Sequence, residues 1–264
     1  RVERLVGDVS RGEIIYYAGG CASCHAAPAS EDKLSLPGGR AFPSPFGTFY
    51  APNISPHADG IAGWSALDLV NAMKHGTSPG GQHYFPAFPY ASYAKAEIAD
   101  IVDLKSFLDT LPPVASEETE HDIGFPFNIR RTLGMWKLMF VSDEPVLAEA
   151  ANEQIKRGRY LAEALGHCGE CHTPRNALGG MQLSAWLGGA PTPDGKGKVP
   201  NITPAALTWI EGDIVEYMTS GFTPEYDVVG GHMADVVANT AKLPKEDREA
   251  LAAYLKAVAP VSGN

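Results

Sequence analysis

The chain has 264 residues, of which 44% are hydrophobic and 20% are charged, a composition typical of a soluble globular protein. Its length predicts one large or two medium-sized domains, and no apolar run approaches the roughly 18 residues needed to cross a bilayer. The net charge of −10 argues against nucleic acid or an anionic membrane surface as a partner.

The N-terminus carries neither a methionine nor an apolar signal region, since the chain opens on Arg1-Val2-Glu3. We therefore expect a mature or trimmed product. An export signal would have preceded Arg1, and membrane association through such a missing segment stays open.

A helix is predicted from Gly12 to Ala18, and it leads into the pattern Cys-x-x-Cys-His at Cys21–His25. The arrangement recurs where a predicted helix from Glu153 to Ala164 precedes Cys168–His172. This pattern is the attachment signature of a c-type haem. Two thiols one turn apart can each add to a vinyl group of the porphyrin, and the histidine that follows lies under the ring with a nitrogen aimed at the iron.

The two motifs use all four cysteines of the chain, which argues against chance. We therefore predict two covalently bound haem c groups. The attaching residues are Cys21, Cys24, Cys168 and Cys171, and the proximal iron ligands are His25 and His172.

Other uses of the cysteines explain the pattern less well. A zinc site built from both cysteine pairs would leave the two histidines unexplained and would join pairs 147 positions apart (168 − 21). A disulfide framework suits shorter secreted chains. A thioredoxin-like redox motif would follow a strand rather than a helix.

An internal repeat accompanies the motifs. The run Pro-Asn-Ile-Ser-Pro at 52–56 returns as Pro-Asn-Ile-Thr-Pro at 200–204. A tryptophan then precedes a predicted helix in each half, over Ala66 to His75 and over Asp213 to Thr219. Each half ends in a predicted amphipathic helix. The apolar stripes are Ile98, Val102, Leu108 and Leu111 in the first half and Leu251, Tyr254, Leu255 and Val258 in the second. We predict two similar haem domains, residues 1–112 and 151–264.

Residues 113–150 are predicted to link these domains. The pair Pro112-Pro113 stops the preceding helix, and the acidic stretch 116–120 is typical of a solvated linker. The stretch 125–140 is too apolar for a free tether, so we expect it to pack between the domains. Arg130 or Arg131 could bind a haem propionate through charge-assisted hydrogen bonds, although a surface charge is an equally good interpretation.

The distal ligand of the second haem is predicted to be Met233, since methionine is a common sixth ligand in cytochromes c. It stands in a glycine-containing loop at 230–235, 61 positions beyond His172 (233 − 172). Met218 and Met181 are weaker candidates, because the first falls on a predicted helix face and the second lies close to the motif. His232 is the main competitor.

The first half breaks this pattern. Met233 lies 24 positions after Trp209 (233 − 209), and the same offset from Trp64 reaches Phe88 (64 + 24), which cannot bind iron. His83 is the nearest donor and is predicted as the sixth ligand of the first haem. Two alternatives stay open: a five-coordinate iron behind an aromatic wall, or another donor. The other side chains that could donate to this iron are Met73, His75 and His57.

A family resemblance rests on three runs: residues 46–54 (Phe-Gly-Thr-Phe-Tyr-Ala-Pro-Asn-Ile), 63–65 (Gly-Trp-Ser) and 84–90 (Tyr-Phe-Pro-Ala-Phe-Pro-Tyr). Together with the haem motifs they resemble the cytochrome c subunits of periplasmic, membrane-associated dehydrogenases for alcohol, aldehyde, gluconate and fructose. The resemblance covers about Arg11 to Val258. There are two departures: those subunits typically carry three haem motifs, and they typically have methionine where Phe88 stands.

The resemblance implies a mainly α, loop-rich protein with two class I cytochrome c domains in tandem, joined by a packed linker. It implies a periplasmic electron carrier that is itself no enzyme. Its partners would be redox proteins, with a dehydrogenase as donor and a cytochrome or oxidase as acceptor. The alternative is a haem enzyme, peroxidase-like or binding a small ligand, with an open first haem.

Overall fold

Helices dominate the regular structure of residues 2–193 and 195–262, which this computed structural model describes. The expectation of a mainly α protein is confirmed. The chain separates into two compact units, Arg1–Val141 and Ser142–Asn264. Arg1 and Asn264, the ends of the predicted domains, lie outside the described residues. Within those residues, no helix combines the length and the apolar character needed to span a bilayer.

The first unit contains six helices and a small antiparallel sheet among its described residues. The helices are α1 (Val9–Ala18), α2 (Cys21–His25), α3 (Ala66–His75), α4 (Tyr90–Tyr93), α5 (Ile98–Leu108) and α6 (Thr132–Phe140), after a 3-10 turn at Val2–Arg4. The strands are β1 (Ala41–Ser44), β2 (Gly47–Tyr50) and β3 (Asp122–Ile123). Strand β2 lies in the middle, with Ala41 opposite Tyr50 and Gly47 opposite Ile123.

Helix α1 packs against α5, and a glycine lets the two backbones approach. A Cβ atom on Gly12 would lie 2.1 Å from the carbonyl oxygen of Asp103. The side chain of Asp8 caps α1 by accepting from the backbone N–H groups of Ser10 and Arg11. Because α1 leads directly into α2, this packing determines where the first Cys-x-x-Cys-His turn begins.

Helix α5 is buried on most sides rather than along one stripe. Asp100 and Asp103 are buried and pair with Arg11, at 3.0 Å each. The predicted stripe is wrong at its first residue, because the Ile98 side chain is 39% exposed. Ile98 is the first residue of the helix, and packing by α1 and α3 begins further along it.

The stretch predicted as an apolar linker is only partly buried. Leu133 and Trp136 of α6 are buried, and the Trp136 ring lies 6.1 Å from that of Tyr90 in the first unit. Phe125 and Leu138, in contrast, are 81% and 88% exposed. Residues 113–141 thus fall within the first compact unit. The limits of independently folding domains stay a prediction.

The second unit repeats the plan with its own variations. Its helices are α7 (Glu153–Tyr160), α8 (Gly169–His172), α9 (Glu211–Ser220), α10 (His232–Thr240) and α11 (Lys245–Ala257), with a π turn at Leu161–Leu165 and a 3-10 turn at Leu183–Ala185. Strands β4 (Ala190–Pro191) and β5 (Lys198–Val199) form a two-stranded antiparallel ladder. Helix α7 packs against α11 as α1 packs against α5.

The loop predicted around Met233 is wrong, because Met233 lies in the first turn of α10. Gly231 precedes this helix with a φ of 58°, a conformation that suits glycine. The glycine-rich sequence before Met233 is therefore the entry to a helix, and the helix carries the methionine.

Candidate haem-attachment sites

Each Cys-x-x-Cys-His motif folds into a single helical turn. Cys21 and Cys24 lie in α2, and the turn ends where Ala26 takes an extended conformation. In the second unit Cys168 caps α8, which ends before the extended residue Thr173. Residues three positions apart share one face of a helical turn, so each turn presents its two thiols side by side.

The buried thiols differ from those of a redox-active dithiol. Burial raises the pKa of Cys21 and of Cys168 to about 12. Reactive dithiols depend instead on a thiol pKa that is lowered. The described residues also hold no group of three or more histidine, cysteine, aspartate or glutamate side chains placed to bind a metal ion. The raised thiol pKa values disfavour the thioredoxin-like interpretation.

The histidine of each motif is oriented by one backbone carbonyl. His25 Nδ1 lies 2.8 Å from the carbonyl oxygen of Pro52, and His172 Nδ1 lies 2.8 Å from that of Pro200. A carbonyl only accepts, so Nδ1 carries the proton in both rings and Nε2 keeps its lone pair. Burial also lowers the pKa of both histidines, although the carbonyl bonds offset part of this effect. Each ring is thus a neutral imidazole with one nitrogen available to a metal.

The repeated Pro-Asn-Ile run positions these carbonyls. The side chain of Asn53 accepts from the backbone N–H of Ser55 at 2.8 Å, and Asn201 accepts from Thr203 at 2.9 Å. Each asparagine also donates to a distant carbonyl at 2.7 Å: Asn53 to Val114 and Asn201 to Val261. These bonds hold the loop so that the preceding proline faces the histidine. The sequence repeat therefore marks the orienting loop of each site.

A glycine completes each histidine loop. The backbone N–H of Gly38 donates to the carbonyl of His25 at 2.8 Å, and Gly189 donates likewise to His172 at 2.7 Å. Gly38 has a φ of 76°, and a Cβ atom there would lie 2.4 Å from the carbonyl oxygen of Ala51. No larger residue fits this close approach without moving the loop.

An arginine binds the third residue of each motif, and sequence reasoning missed both. Arg40 donates to the carbonyl of Ser23, and its guanidinium also lies over the Phe42 ring. Arg175 lies 3.3 Å from the carbonyl oxygen of Glu170 and pairs with the Glu170 carboxylate. The two arginines lie at different distances along the chain from their motifs, so the internal repeat did not predict their role.

The candidates for the distal side of the second site are spread over two helices and a loop. Met233 is half-buried in α10, and the adjacent His232 is exposed. Met218 is 8% exposed in α9, where its backbone carbonyl accepts from Thr240. Met181 forms an isolated bridge with Arg175, close to the motif.

His83 is held by α6. Its Nδ1 lies 2.9 Å from Nζ of Lys137, and a Cβ atom on Gly134 would lie 3.1 Å from its Nε2. Burial lowers the pKa of His83, the Lys137 charge lowers it further, and burial lowers the pKa of Lys137 to about 8. When Lys137 donates to Nδ1, the proton of a neutral His83 is on Nε2. Iron binding through Nε2 therefore requires this lysine contact to change.

Phe88, at the position expected for a methionine, lies in an aromatic cluster. Its ring is 5.8 Å from those of Tyr84 and Tyr93 and 6.4 Å from that of Tyr90. The Tyr93 hydroxyl donates to the carbonyl of Gly19, next to the first motif. The cluster thus connects Phe88 to the turn that carries Cys21.

The two arginines predicted to bind a propionate have different environments. The Arg130 guanidinium lies 4.5 Å from the centroid of the Phe85 ring and donates to the carbonyl of His83 at 3.0 Å. Arg131 is exposed at the start of α6. Arg130 is therefore bound to the His83 loop.

The residues of each motif fit a covalently attached haem. Two neighbouring thiols are positioned to form thioethers, and a neutral histidine oriented through Nδ1 leaves Nε2 for the iron. The bound group would supply an iron atom that gains and loses one electron. The protein supplies attachment, ring orientation and the surrounding electrostatics.

Comparison with known proteins agrees with this chemistry. No protein-family model matches the chain. It is 57% identical over 257 residues to a diheme cytochrome c-type protein of Cereibacter sphaeroides, covering 96% of this chain and 87% of the relative. It is 35% identical over 259 residues to the fructose dehydrogenase cytochrome subunit of Gluconobacter japonicus, covering 95% of this chain and 52% of that subunit.

A third relative is the gluconate 2-dehydrogenase cytochrome c subunit of Pantoea cypripedii, 34% identical over 265 residues. The match covers 95% of this chain and 59% of that subunit. The chain thus spans a little over half the length of these dehydrogenase subunits. The resemblance read from the three sequence runs is confirmed. The chain belongs to the family of dihaem c-type cytochromes.

Proposed function

We propose that this protein carries single electrons between a periplasmic dehydrogenase and a downstream respiratory acceptor, using one haem c in each unit. The observation that supports this most directly is the matching 2.8 Å bond from each motif histidine to a proline carbonyl. It leaves the same nitrogen available for iron in both units. A dihaem electron carrier needs one such nitrogen for each iron, and its cofactors perform the chemistry.

The donor is inferred from the relatives. Two of them are named as cytochrome subunits of fructose dehydrogenase and gluconate 2-dehydrogenase. We propose a dehydrogenase subunit as the electron donor of this chain as well, and a cytochrome or an oxidase as the acceptor. Such redox partners meet through small, transient interfaces. The periplasm is the compartment that this assignment implies.

The ligand assignments follow the two units. His25 and His172 are proposed as the proximal ligands and Met233 as the sixth ligand of the second haem. Met233 on α10 is supported by its half-buried place at the start of a helix with a glycine entry. For the first haem His83 stays the proposed ligand. Iron binding by His83 would have to displace the contact between its Nδ1 and Nζ of Lys137.

Absorption and EPR spectroscopy of the purified full chain test this proposal. We expect two haems per chain, both low-spin, with no carbon monoxide binding after reduction. A haem count of one would contradict the dihaem assignment. A high-spin signal with carbon monoxide binding would favour the alternative, a haem enzyme with an open site behind Phe88.

Two matched variants separate the sites. Met233→Ala is expected to turn one haem high-spin and to leave the other unchanged. His83→Ala is expected to do the same for the other haem. An unchanged spectrum in His83→Ala would remove that ligand and leave the five-coordinate iron or another donor. Met181→Ala serves as the control, since its loss should leave both spectra unchanged.

A further inference from the structure

A one-residue difference separates the helices that precede the two motifs. A Cβ atom added to Gly12 would lie 2.8 Å from the Cβ of Phe107 in α5. A Cβ atom added to Gly158 would lie at the same distance from the Cβ of Tyr254 in α11. These contacts make the two glycines equivalent. From glycine to first cysteine there are nine positions in the first unit (21 − 12) and ten in the second (168 − 158). The π turn Leu161–Leu165 accommodates the extra residue.

The π turn carries a buried carboxylate. Glu163 is 2% exposed, and its Oε1 accepts from the Tyr254 hydroxyl at 2.8 Å and from the backbone N–H of Leu147 at 2.9 Å. Its Oε2 accepts from the backbone N–H of Val146 at 2.6 Å. All three partners are neutral donors, and together they bind both carboxylate oxygens. These bonds offset the desolvation of the charge without removing the charge itself.

The carboxylate is connected to the second motif. Trp186 Nε1 donates to the same Tyr254 hydroxyl at 2.8 Å. The Trp186 ring lies against the motif, because a Cβ atom on Gly169 would be 2.1 Å from Cζ3 of that ring. Burial, and next the Glu163 charge, raise the pKa of Tyr254, so its hydroxyl stays protonated and donates to Glu163. The chain of contacts therefore runs from Glu163 through Tyr254 and Trp186 to the turn between Cys168 and Cys171.

The first unit has no counterpart to this network at the equivalent positions. Phe107, which corresponds to Tyr254, has no hydroxyl, and its ring packs on that of Tyr16 at 5.2 Å. The buried carboxylates of α5 are instead paired with the cation of Arg11. The second unit thus buries one carboxylate, Glu163, whose hydrogen-bond partners are all neutral, whereas the buried carboxylates of α5 in the first unit are paired with a cation.

We propose that Glu163 lowers the reduction potential of the haem attached at Cys168 and Cys171. The inference rests on the proposed function. Oxidised haem iron carries one more positive charge than reduced iron, and a fixed negative charge in a low-dielectric interior stabilises the oxidised form. The charge of Glu163 acts on the iron through space, and Tyr254 and Trp186 connect the carboxylate to the second motif.

The test is a potentiometric titration of the full-length holoprotein, followed by haem absorption. Glu163→Gln keeps the shape of the side chain and removes the charge. We expect the wave of the second haem to move upward by on the order of a tenfold change in its reduction equilibrium, about 59 mV for one electron. The first wave should not move. The Met233→His variant identifies the second wave, because it changes a ligand of that haem alone.

Two further variants separate charge from structure. Glu163→Asp keeps the charge and should leave the second wave within a few-fold of its original equilibrium, even if stability falls. If Gln and Asp shift the wave equally, the role is structural and the proposal is overturned. Glu153→Gln removes an exposed carboxylate from α7 and is expected to move neither wave.

A last variant covers the case in which Glu163→Gln does not fold. Tyr254→Phe keeps the carboxylate but removes one of the three hydrogen bonds to it, so the second wave should move while the first stays in place. An unmoved second wave in this variant overturns the proposal. A haem count of one in the unmodified protein would instead contradict the dihaem function, which keeps the two failures distinct.

Discussion

Single residues decide how the motif histidines are oriented. The proline carbonyls 52 and 200 accept from His25 and His172, and a glycine in each loop bonds back to the histidine carbonyl. These contacts determine the tautomer of the ring, and the tautomer determines which nitrogen faces a metal. The repeated Pro-Asn-Ile run was visible in the sequence, but its role as the histidine partner was not.

Gly38→Ala is expected to destabilise the first unit and to disturb the first haem. Its Cβ atom would lie 2.4 Å from the carbonyl of Ala51 and 2.5 Å from the carbonyl carbon of Pro52, which would push the Pro52 loop away from His25. We expect a loss of about 1–3 kcal/mol beyond the cost of the positive φ. Denaturant unfolding followed by haem absorption measures it.

Gly39→Ala is the matched control. Gly39 also has a positive φ, of 87°, but a Cβ atom there meets nothing within 4 Å. It therefore carries the conformational cost without the clash. Equal losses in the two variants would contradict the orienting role of the loop.

At the scale of elements, the helices were predictable and their partners were not. The helix over Ala66 to His75 is confirmed, because Ser65 and Asp68 form a capping box and Gly76 ends it in the left-handed region. Helix α6, by contrast, was predicted only as part of an apolar linker. It is a helix in the first unit, where Trp136 lies beside Tyr90.

Trp136→Ala is expected to destabilise the first unit by about 3–5 kcal/mol, because it removes a buried ring from between Tyr90 and Phe140. Leu138→Ala, on the exposed face of the same helix, should change stability by less than about 0.5 kcal/mol. Chemical denaturation of both variants measures the difference. Similar small effects in both would show that α6 is a linker and no part of the folded unit.

At the scale of the whole molecule, charge governs how partners approach. The net charge of −10 creates a negative field that attracts cations and repels anions. This field is independent of the identity of the natural partners. Small redox reagents of opposite charge can therefore report on it directly.

Electron exchange with hexaammineruthenium, a cation, should be faster at low ionic strength than exchange with ferricyanide, an anion, after allowance for their driving forces. The two rates should converge as salt is added, because the Debye length falls to about 3 Å at 1 M. Stopped-flow absorption of the haems measures both rates. Salt-independent rates for both reagents would contradict electrostatic steering.

The sequence by itself predicted the attachment chemistry, since cysteine and histidine spacing within one turn is a local property that needs no tertiary partner. It also predicted the repeat and most helices, because capping and periodicity are local as well. Only the tertiary structure decided what surrounds each motif: the proline carbonyls at the histidines, the arginines on the motif carbonyls, and the buried Glu163, which is connected to the second motif through Tyr254 and Trp186. These contacts join residues 17 to 91 positions apart, except at Arg175, and depend on packing that no short pattern encodes. The extra residue of the π turn is an example. The turn carries Glu163, and the bond of Glu163 to Tyr254 depends on the packing of α7 against α11.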